Sequence, residues 1–288
     1  VIDQLPPSNR LEGIKVLFFK ELQNNYSSED LQTFFRLMLE HYFGIRPSEL
    51  IYNSSRRISE SEILTVQGVI RKLKKQVPWQ YIVGETEFYG INILVNSSVL
   101  IPRPETEEMI ELIRQQFDGK PSPKRIIDLC SGSGCIALSL KKIFPEAKVY
   151  GLEICPEALK VARKNAVINQ LEVEFVQTDL LNHSYFEESS QFDLIVSNPP
   201  YIMEKEKGIM AANVVEHEPH LALFVPDLDP LVFYKAIKEF AMKHLAKEGH
   251  IWLEINAQLG LETKQLFDNF NAQTILDLSG KDRFVCAL

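Results

Sequence analysis

Apolar residues in the first third of the chain recur at helical spacing. Leu31, Phe34, Phe35, Met38, Leu39 and Tyr42 fall at offsets 0, 3, 4, 7, 8 and 11, which is one face of an amphipathic helix. Ser59, followed three residues later by Glu62, has the form of a capping box. It precedes Ile63, Val66, Ile70 and Leu73, again at helical spacing. Pro47 and Pro78 punctuate the region. The pattern predicts a bundle of four or five short helices over residues 1–84.

The pattern changes near Glu85. Residues 88–95 mix β-branched and aromatic side chains around Gly90 and predict a short hairpin. Pro102 and Pro104 stiffen a linker, so that residues 85–104 join the bundle to a helix beginning near Glu105. From Arg125 onward strands and helices alternate. The predicted strands are 125–129, 148–154, 172–178, 192–197 and 250–255, with helices such as 135–144 and 156–169 between them. Such alternation implies right-handed crossovers and a mostly parallel sheet covered on both faces. The last two strands, 274–278 and 283–288, are separated by only four residues and must pair antiparallel. The expected fold is α/β, a Rossmann-like sheet over residues 105–288 with an antiparallel last strand.

Composition narrows the classes. With 288 residues, 45% of them hydrophobic, the chain can bury a substantial core. Its net charge of -8 argues against a basic face clamped on duplex nucleic acid, so no stable nucleic-acid binding is expected. Cys130, Cys135, Cys155 and Cys286 show no paired spacing and read as reduced thiols; with no His-Glu-x-x-His run, no metal is expected. No apolar run approaches the ~18 residues that span a bilayer. A cytoplasmic monomer without a membrane partner is the expectation.

Candidate chemistry lies at two strand ends. Asp128-Leu129-Cys130-Ser131-Gly132-Ser133-Gly134 runs from a strand into a helix, and glycines there let the backbone approach a ligand. Gly132, Gly134 and Ala137 also fit the dinucleotide pattern, with Glu153 roughly where an acid binds ribose hydroxyls. The turn alone therefore admits a nicotinamide enzyme as well as a methyltransferase. Asp128 favours the latter: S-adenosylmethionine carries a cationic amine where a dinucleotide carries an anionic pyrophosphate. Residues 130–134, Asp128 and Glu153 are the expected cofactor contacts. Asp179 is a candidate for the adenine amino group or for capping a helix, and Leu180 for packing on the adenine face.

The second strand end carries Asn198-Pro199-Pro200-Tyr201. An amide or aniline-like nitrogen is a poor nucleophile because its lone pair is delocalised. The Asn198 side-chain oxygen and the Pro199 carbonyl can each accept one N–H of such a group, favouring the charge that develops on it. The prolines hold these carbonyls rigidly, and Tyr201 can stack on the planar group. Asn198, Pro199, Pro200 and Tyr201 are thus the candidate catalytic and substrate-binding residues, with Asn198 also beside the cofactor.

At these residues the chain resembles the PrmC/HemK family of protein-(glutamine N(5)) methyltransferases that modify peptide-chain release factors. The resemblance spans nearly the whole chain: Pro78-Trp79-Gln80-Tyr81-Ile82-Val83-Gly84, Phe88-Tyr89-Gly90, Ile101-Pro102-Arg103-Pro104-Glu105-Thr106-Glu107, Glu218-Pro219, Leu253-Glu254-Ile255 and Gly280-Lys281-Asp282-Arg283-Phe284. It implies a class I methyltransferase domain and a helical N-terminal domain that helps hold the substrate protein. The implied reaction moves the methyl group of S-adenosylmethionine to the glutamine of the release factor's Gly-Gly-Gln loop, leaving S-adenosylhomocysteine. An exocyclic amino group of DNA or RNA is the alternative acceptor, because DNA adenine methyltransferases share Asn-Pro-Pro-Tyr. A regulatory module on the same scaffold is disfavoured by the intact turn and by Asn198.

Some positions depart from the family pattern. Cys130 stands where a glycine is common, which suits a negative φ, and Leu180 where an aromatic is common. Asn256 also replaces a glycine, and Val225-Pro226-Asp227 a glycine-containing stretch. Arg103, Glu105 and Glu107 read equally as a latch on the hairpin or as the acidic first turn of a helix. Residues 202–230 are long for a connection and are expected to form a mobile wall of the acceptor site. Glu218 and His220 lie there as surface groups or substrate contacts.

Overall fold

A computed structural model describes residues 5–49, 56–182 and 190–288. The chain divides into two compact units, Val1–Val83 and Gly84–Leu288.

The first unit holds the helices α1 (Leu11–Leu22), α2 (Ser28–Phe43), α3 (Glu60–Lys74) and α4 (Trp79–Val83). Of the apolar face on α2, Leu31, Phe35, Met38 and Leu39 are buried, while Phe34 and Tyr42 pack at the edge of the same cluster. The expected capping box forms at α3: the Glu62 N–H donates to Ser59 Oγ, and Glu62 Oε2 accepts the Ser59 N–H at 2.7 Å. A second box, Ser27 with Asp30, opens α2.

The second unit begins with a hairpin, β1 (Glu85–Phe88) and β2 (Ile91–Leu94). Its two-residue turn has Tyr89 at φ 47° and Gly90 at φ 69°. Positive φ at both central positions twists the strands in the sense a tight hairpin needs. Helix α5 (Pro104–Gln116) follows, with Pro104 in its first turn and two of its carboxylates on the hairpin tip. Glu107 Oε1 accepts the Tyr89 N–H at 2.8 Å, and Glu111 Oε2 accepts the Tyr89 hydroxyl at 2.7 Å. Glu107 is therefore both a first-turn acid and a latch on the hairpin.

Seven strands form the main sheet in the order β10-β11-β9-β6-β3-β4-β5. They are β3 (Arg125–Leu129), β4 (Lys148–Glu153), β5 (Glu174–Gln177), β6 (Phe192–Ser197), β9 (Leu245–Glu254), β10 (Gln273–Leu276) and β11 (Asp282–Ala287). Only β11 runs against its neighbours. Ile126, Ile127 and Leu129 of β3 and Leu194, Ile195 and Val196 of β6 are all fully buried, as both-face coverage requires. The helices α6 (Cys135–Ile143) and α7 (Pro156–Asn169) make the crossovers after β3 and β4. The chain leaves β3 towards β4 and β5, then returns to β6 on the other side. The strand order thus reverses beside β3, and a crevice opens outside the carboxyl ends there.

Residues 202–230 are more ordered than a bare connection. They hold a short parallel pair, β7 (Ile202–Met203) and β8 (Phe224–Val225), with the helix α8 (Ala212–His217) between them.

Candidate active site

A cavity of about 430 Å³ lies at the carboxyl ends of β3, β4, β5 and β6. Cys130, Ser131, Gly132, Ser133, Glu153, Asp179, Leu180 and Asn198 all line it, as does Pro200. Asp128 and Gly134 do not.

The turn after β3 is held from several sides. The Ser131 N–H donates to the Leu152 carbonyl at 2.8 Å, and the Gly132 N–H to Glu153 Oε2 at 2.9 Å. Glu153 Oε1 accepts the Cys155 N–H at 2.8 Å, so one carboxylate fixes two loops while facing the cavity. Cys130 sits at φ 64°, the left-handed region, rather than at the negative φ its side chain favours. Gly134, at φ 81°, is a packing residue: a Cβ there would lie 2.7 Å from the Phe175 ring.

Asp128 is fully buried and off the cavity wall. Strand alternation turns it to the opposite face from Ile127 and Leu129. Its Oδ2 accepts the Ala137 N–H of α6 at 3.3 Å, and its Oδ1 has no hydrogen-bond partner among the described residues. Burial pushes this carboxyl up to about 8, and the nearby Glu153 adds to the rise. The direct contact with a ligand amine expected from sequence is therefore not the placement seen.

Asp179 caps the short turn after β5, accepting from the Leu181 N–H at 2.9 Å and from Asn182 Nδ2 at 2.7 Å, while still facing the cavity. Leu180 is buried among core residues, and with Leu181 it gives this side of the cavity an aliphatic wall.

A smaller chamber of about 180 Å³ adjoins the first. Leu100, Arg103, Asn198 and Ala222 line both. Pro199 and Tyr201 face the small chamber and Pro200 the large one, so the tetrapeptide forms the partition between them. Asn198 Nδ2 donates to Thr106 Oγ1 at 3.1 Å. Thr106 in turn donates to Glu254 Oε2 at 2.6 Å, and the Tyr201 hydroxyl donates to Glu254 Oε1 at 2.9 Å. Burial pushes the Glu254 carboxyl up and the Tyr201 phenol well up.

Residues 202–230 wall the chamber with Ile202, Met210, Val214, Ala222 and Leu223, and Glu218 anchors the segment from behind. This carboxylate is buried, accepting from Arg103 at 2.6 Å and from the Ile101 N–H at 3.2 Å. His220 is exposed, its Nε2 2.7 Å from the Val215 carbonyl. Asn256, the glycine departure, donates to the Tyr201 carbonyl at 3.1 Å and so braces the partition from behind. The sequence carried no residue-level sign of the roles of Thr106 and Glu254, and Glu218, expected as a surface group or substrate contact, is instead a buried partner of Arg103. Their one signal was membership in the family-like runs around Arg103, Glu218 and Leu253.

Residues 106–222 match the methyltransferase small domain, and residues 18–84 match the PrmC N-terminal domain. A release factor glutamine methyltransferase of Flavobacterium psychrophilum is 38% identical over 280 residues, covering 96% of this chain and 98% of its own. The chain belongs to the release factor glutamine methyltransferase family. Another member, from Bacteroides thetaiotaomicron, is 38% identical and covers 93% of this chain and 96% of its own. Among solved structures, a Thermus thermophilus 16S rRNA N2 G1207 methyltransferase in complex with AdoMet and guanosine is similar with a TM-score of 0.51. At 21% identity, covering 70% of this chain and 49% of that one, it shows the shared fold. The chain is an S-adenosylmethionine-dependent methyltransferase with a class I fold.

The residues present fit that cofactor. The cavity volume lies in the range of small-molecule sites. Its wall carries three carboxylates, Glu153, Glu157 and Asp179, against one guanidinium, Arg103, which Glu218 neutralises. A net negative wall suits a sulfonium and opposes a pyrophosphate, which separates this site from a dinucleotide site. Among the described residues no group of His, Cys, Asp or Glu is placed to hold a metal ion, and no helix is long and apolar enough to cross a membrane.

Proposed function

We propose that this protein methylates the side-chain amide nitrogen of a glutamine in a peptide-chain release factor, the glutamine of the Gly-Gly-Gln loop. The observation that carries this reading is the partition: one asparagine with its amide nitrogen engaged on Thr106, shared by a cofactor-sized cavity and a side-chain-sized chamber. The names of the close relatives support the choice of acceptor.

S-adenosylmethionine supplies an electrophilic methyl group on a sulfonium. Glu153, already oriented by two backbone N–H groups, has lone pairs left for ribose hydroxyls. Asp179 and Leu180 face the adenine end, and the turn 130–133 receives the methionine end. Asp128 acts at a remove, buried behind that turn and holding the Ala137 N–H at the start of α6.

In the small chamber Asn198 Oδ1 and the Pro199 carbonyl accept the two N–H groups of the acceptor amide. Both acceptors draw density onto the nitrogen and favour the charge that grows there. Tyr201 and Ile202 wall the chamber and help exclude water. No residue is required to remove a proton beforehand. The methylated nitrogen is acidic and releases its proton to solvent, and the rate gain comes from positioning and from the two acceptors.

The test is an assay with labelled S-adenosylmethionine and either a purified release factor or nucleic acid. Label is expected on the release factor, and label confined to nucleic acid would sink the reading. Asn198→Ala should lower turnover by at least about a hundredfold, the scale of losing one positioned charge-stabilising group. Cofactor affinity should change by less than about threefold, because Asn198 is one of many residues lining that cavity.

A further inference from the structure

An asparagine amide is nearly symmetric in shape but opposite in chemistry at its two ends. Turned one way Asn198 offers an acceptor to the incoming amide nitrogen; turned the other it offers N–H groups, which repel that nitrogen's hydrogens. Something must choose between the two.

The choice is made at Glu254. This side chain is buried, and as a carboxylate it can only accept. Both of its oxygens are engaged, one by the Tyr201 hydroxyl at 2.9 Å and the other by Thr106 at 2.6 Å. Thr106 is itself 2% exposed and has a single hydroxyl hydrogen. Once that hydrogen is committed to Glu254, Thr106 Oγ1 has only lone pairs left. Only the Asn198 NH₂ can face it, and it does so at 3.1 Å. The amide oxygen is thereby turned away from Thr106.

We infer that Glu254, acting through Thr106, is a positioning pair that sets which end of the Asn198 amide meets the acceptor. The inference rests on the reading of Asn198 as the group that grips the acceptor nitrogen. It accounts for an otherwise costly feature: a buried carboxylate with no cation in hydrogen-bond contact, which packing alone would replace with an apolar side chain. The charged and titratable groups around it are Arg103 of the linker, Glu105 of α5, Cys135 of α6, Tyr201 after β6, Tyr234 of the helix at Val232–His244, and Arg283 of β11. Tyr234 donates to the Glu254 backbone carbonyl at 3.1 Å and leaves the carboxylate to the relay.

The polarity of the relay is reversible in principle. A protonated Glu254, or a glutamine in its place, can donate to Thr106 Oγ1. The threonine hydrogen is then free to bond Asn198 Oδ1, and the amide turns over. Activity should therefore fall on the acid side as Glu254 takes up a proton. Burial places that event above the ordinary carboxylate range.

The experiment compares Thr106→Ser, Thr106→Val and Glu254→Gln, with kcat, KM for the release factor, cofactor Kd and thermal melting measured for each. Thr106→Ser keeps the hydroxyl and should hold kcat within about threefold of wild type. Thr106→Val, of the same shape, should lower kcat on the order of tenfold, the scale of one hydrogen bond's net worth, while cofactor Kd stays within about threefold because Thr106 is one of many residues on that wall. Glu254→Gln should lower kcat further and remove the acid limb of the kcat–pH profile. Wild-type kcat in Thr106→Val, or equal losses in Thr106→Ser and Thr106→Val, would overturn the relay while leaving the functional reading intact. If the valine variant fails to fold, the serine variant and the wild-type acid limb decide: loss of kcat in the serine variant, or an acid limb at the ordinary glutamate position, overturns it. Full turnover in Asn198→Ala would overturn the functional reading, and the relay with it.

Discussion

Arg103 and Glu218 lie 115 residues apart in sequence and meet in a 2.6 Å ion pair, with Arg103 on the wall common to both cavities. Arg103 is a third exposed at its side chain and Glu218 almost fully buried. The pair ties the linker before α5 to the segment at residues 202–230. Arg103→Met strands a buried carboxylate with only the Ile101 N–H to satisfy it. We expect a stability loss of about 2 kcal/mol, below the full cost of breaking a wholly buried pair because Arg103 keeps water contact. KM for the protein substrate should rise several-fold, with kcat less affected. Urea titration and steady-state kinetics check both; an unchanged KM would remove Arg103 from the acceptor wall.

The raised carboxyl of Asp128 makes the cofactor-free protein sensitive to pH. An unfolded aspartate titrates near 3.9, while the folded one is pushed up to about 8. Between those values the folded state binds more protons than the unfolded, so stability falls as pH rises through the window. Below it both states are protonated and the effect vanishes. Wild type should lose about 2 kcal/mol more than Asp128→Asn between pH 6 and pH 8, measured by denaturant unfolding. Parallel curves for the two proteins would contradict the burial argument.

Cys130 holds a left-handed backbone at φ 64°. A non-glycine residue there costs roughly 1–2 kcal/mol, and glycine's greater unfolded-state freedom offsets about half of any gain from replacing it. Cys130→Gly should therefore stay within about 1 kcal/mol of wild type and retain turnover. Cys130→Val, with a branched Cβ in the same conformation, should cost more than about 2 kcal/mol. Chemical denaturation of the pair tests the contrast, which equal stabilities would refute.

Asn165 ties the hairpin to the cofactor turn. Its Oδ1 accepts the Leu94 N–H at 2.7 Å, and its Nδ2 donates to the Leu94 carbonyl at 3.1 Å and the Ser133 carbonyl at 2.9 Å. Asn165→Leu leaves these backbone groups unpaired and should cost about 3 kcal/mol. Because Ser133 lines the large cavity, cofactor Kd should weaken about tenfold, with kcat at saturation near wild type. Calorimetric titration with S-adenosylhomocysteine reads this directly, and an unaltered Kd would separate the hairpin from the cofactor.

Much of the architecture was legible because it is written locally. The α2 face, the Ser59 box, the alternation after Arg125 and the forced antiparallel end all follow from spacing within a few residues. So does the placement of Asn198 just beyond a buried strand. The relations that escaped join distant positions: Thr106 with Glu254 at a separation of 148 residues, Arg103 with Glu218 at 115, and Asn165 with Leu94 at 71. Periodicity carries no signal for such pairings. Asp128 was misplaced for a related reason. A carboxylate beside a glycine turn suggests a ligand, but strand alternation decided which face it occupies. The segment at 202–230 was legible as a wall of the acceptor site from its length, but its internal pairing was not, because its strands are two residues long, too short to leave a pattern.

The parallel pairing of β3 with β6 has a further consequence. Leu129 stands opposite Ser197, and the Ser197 hydroxyl donates to the Leu129 carbonyl at 2.6 Å. Cys130 and Asn198 are the next residues on each strand, so the turn beside the cofactor and the grip on the acceptor leave the sheet side by side. Neighbouring strands lie about 4.8 Å apart. The reach of the methyl transfer is therefore inherited from the spacing of a backbone ladder rather than from any adjustable loop. A single-residue insertion in either strand would displace one half of the chemistry by a full residue rise, and no side-chain substitution nearby could bring it back.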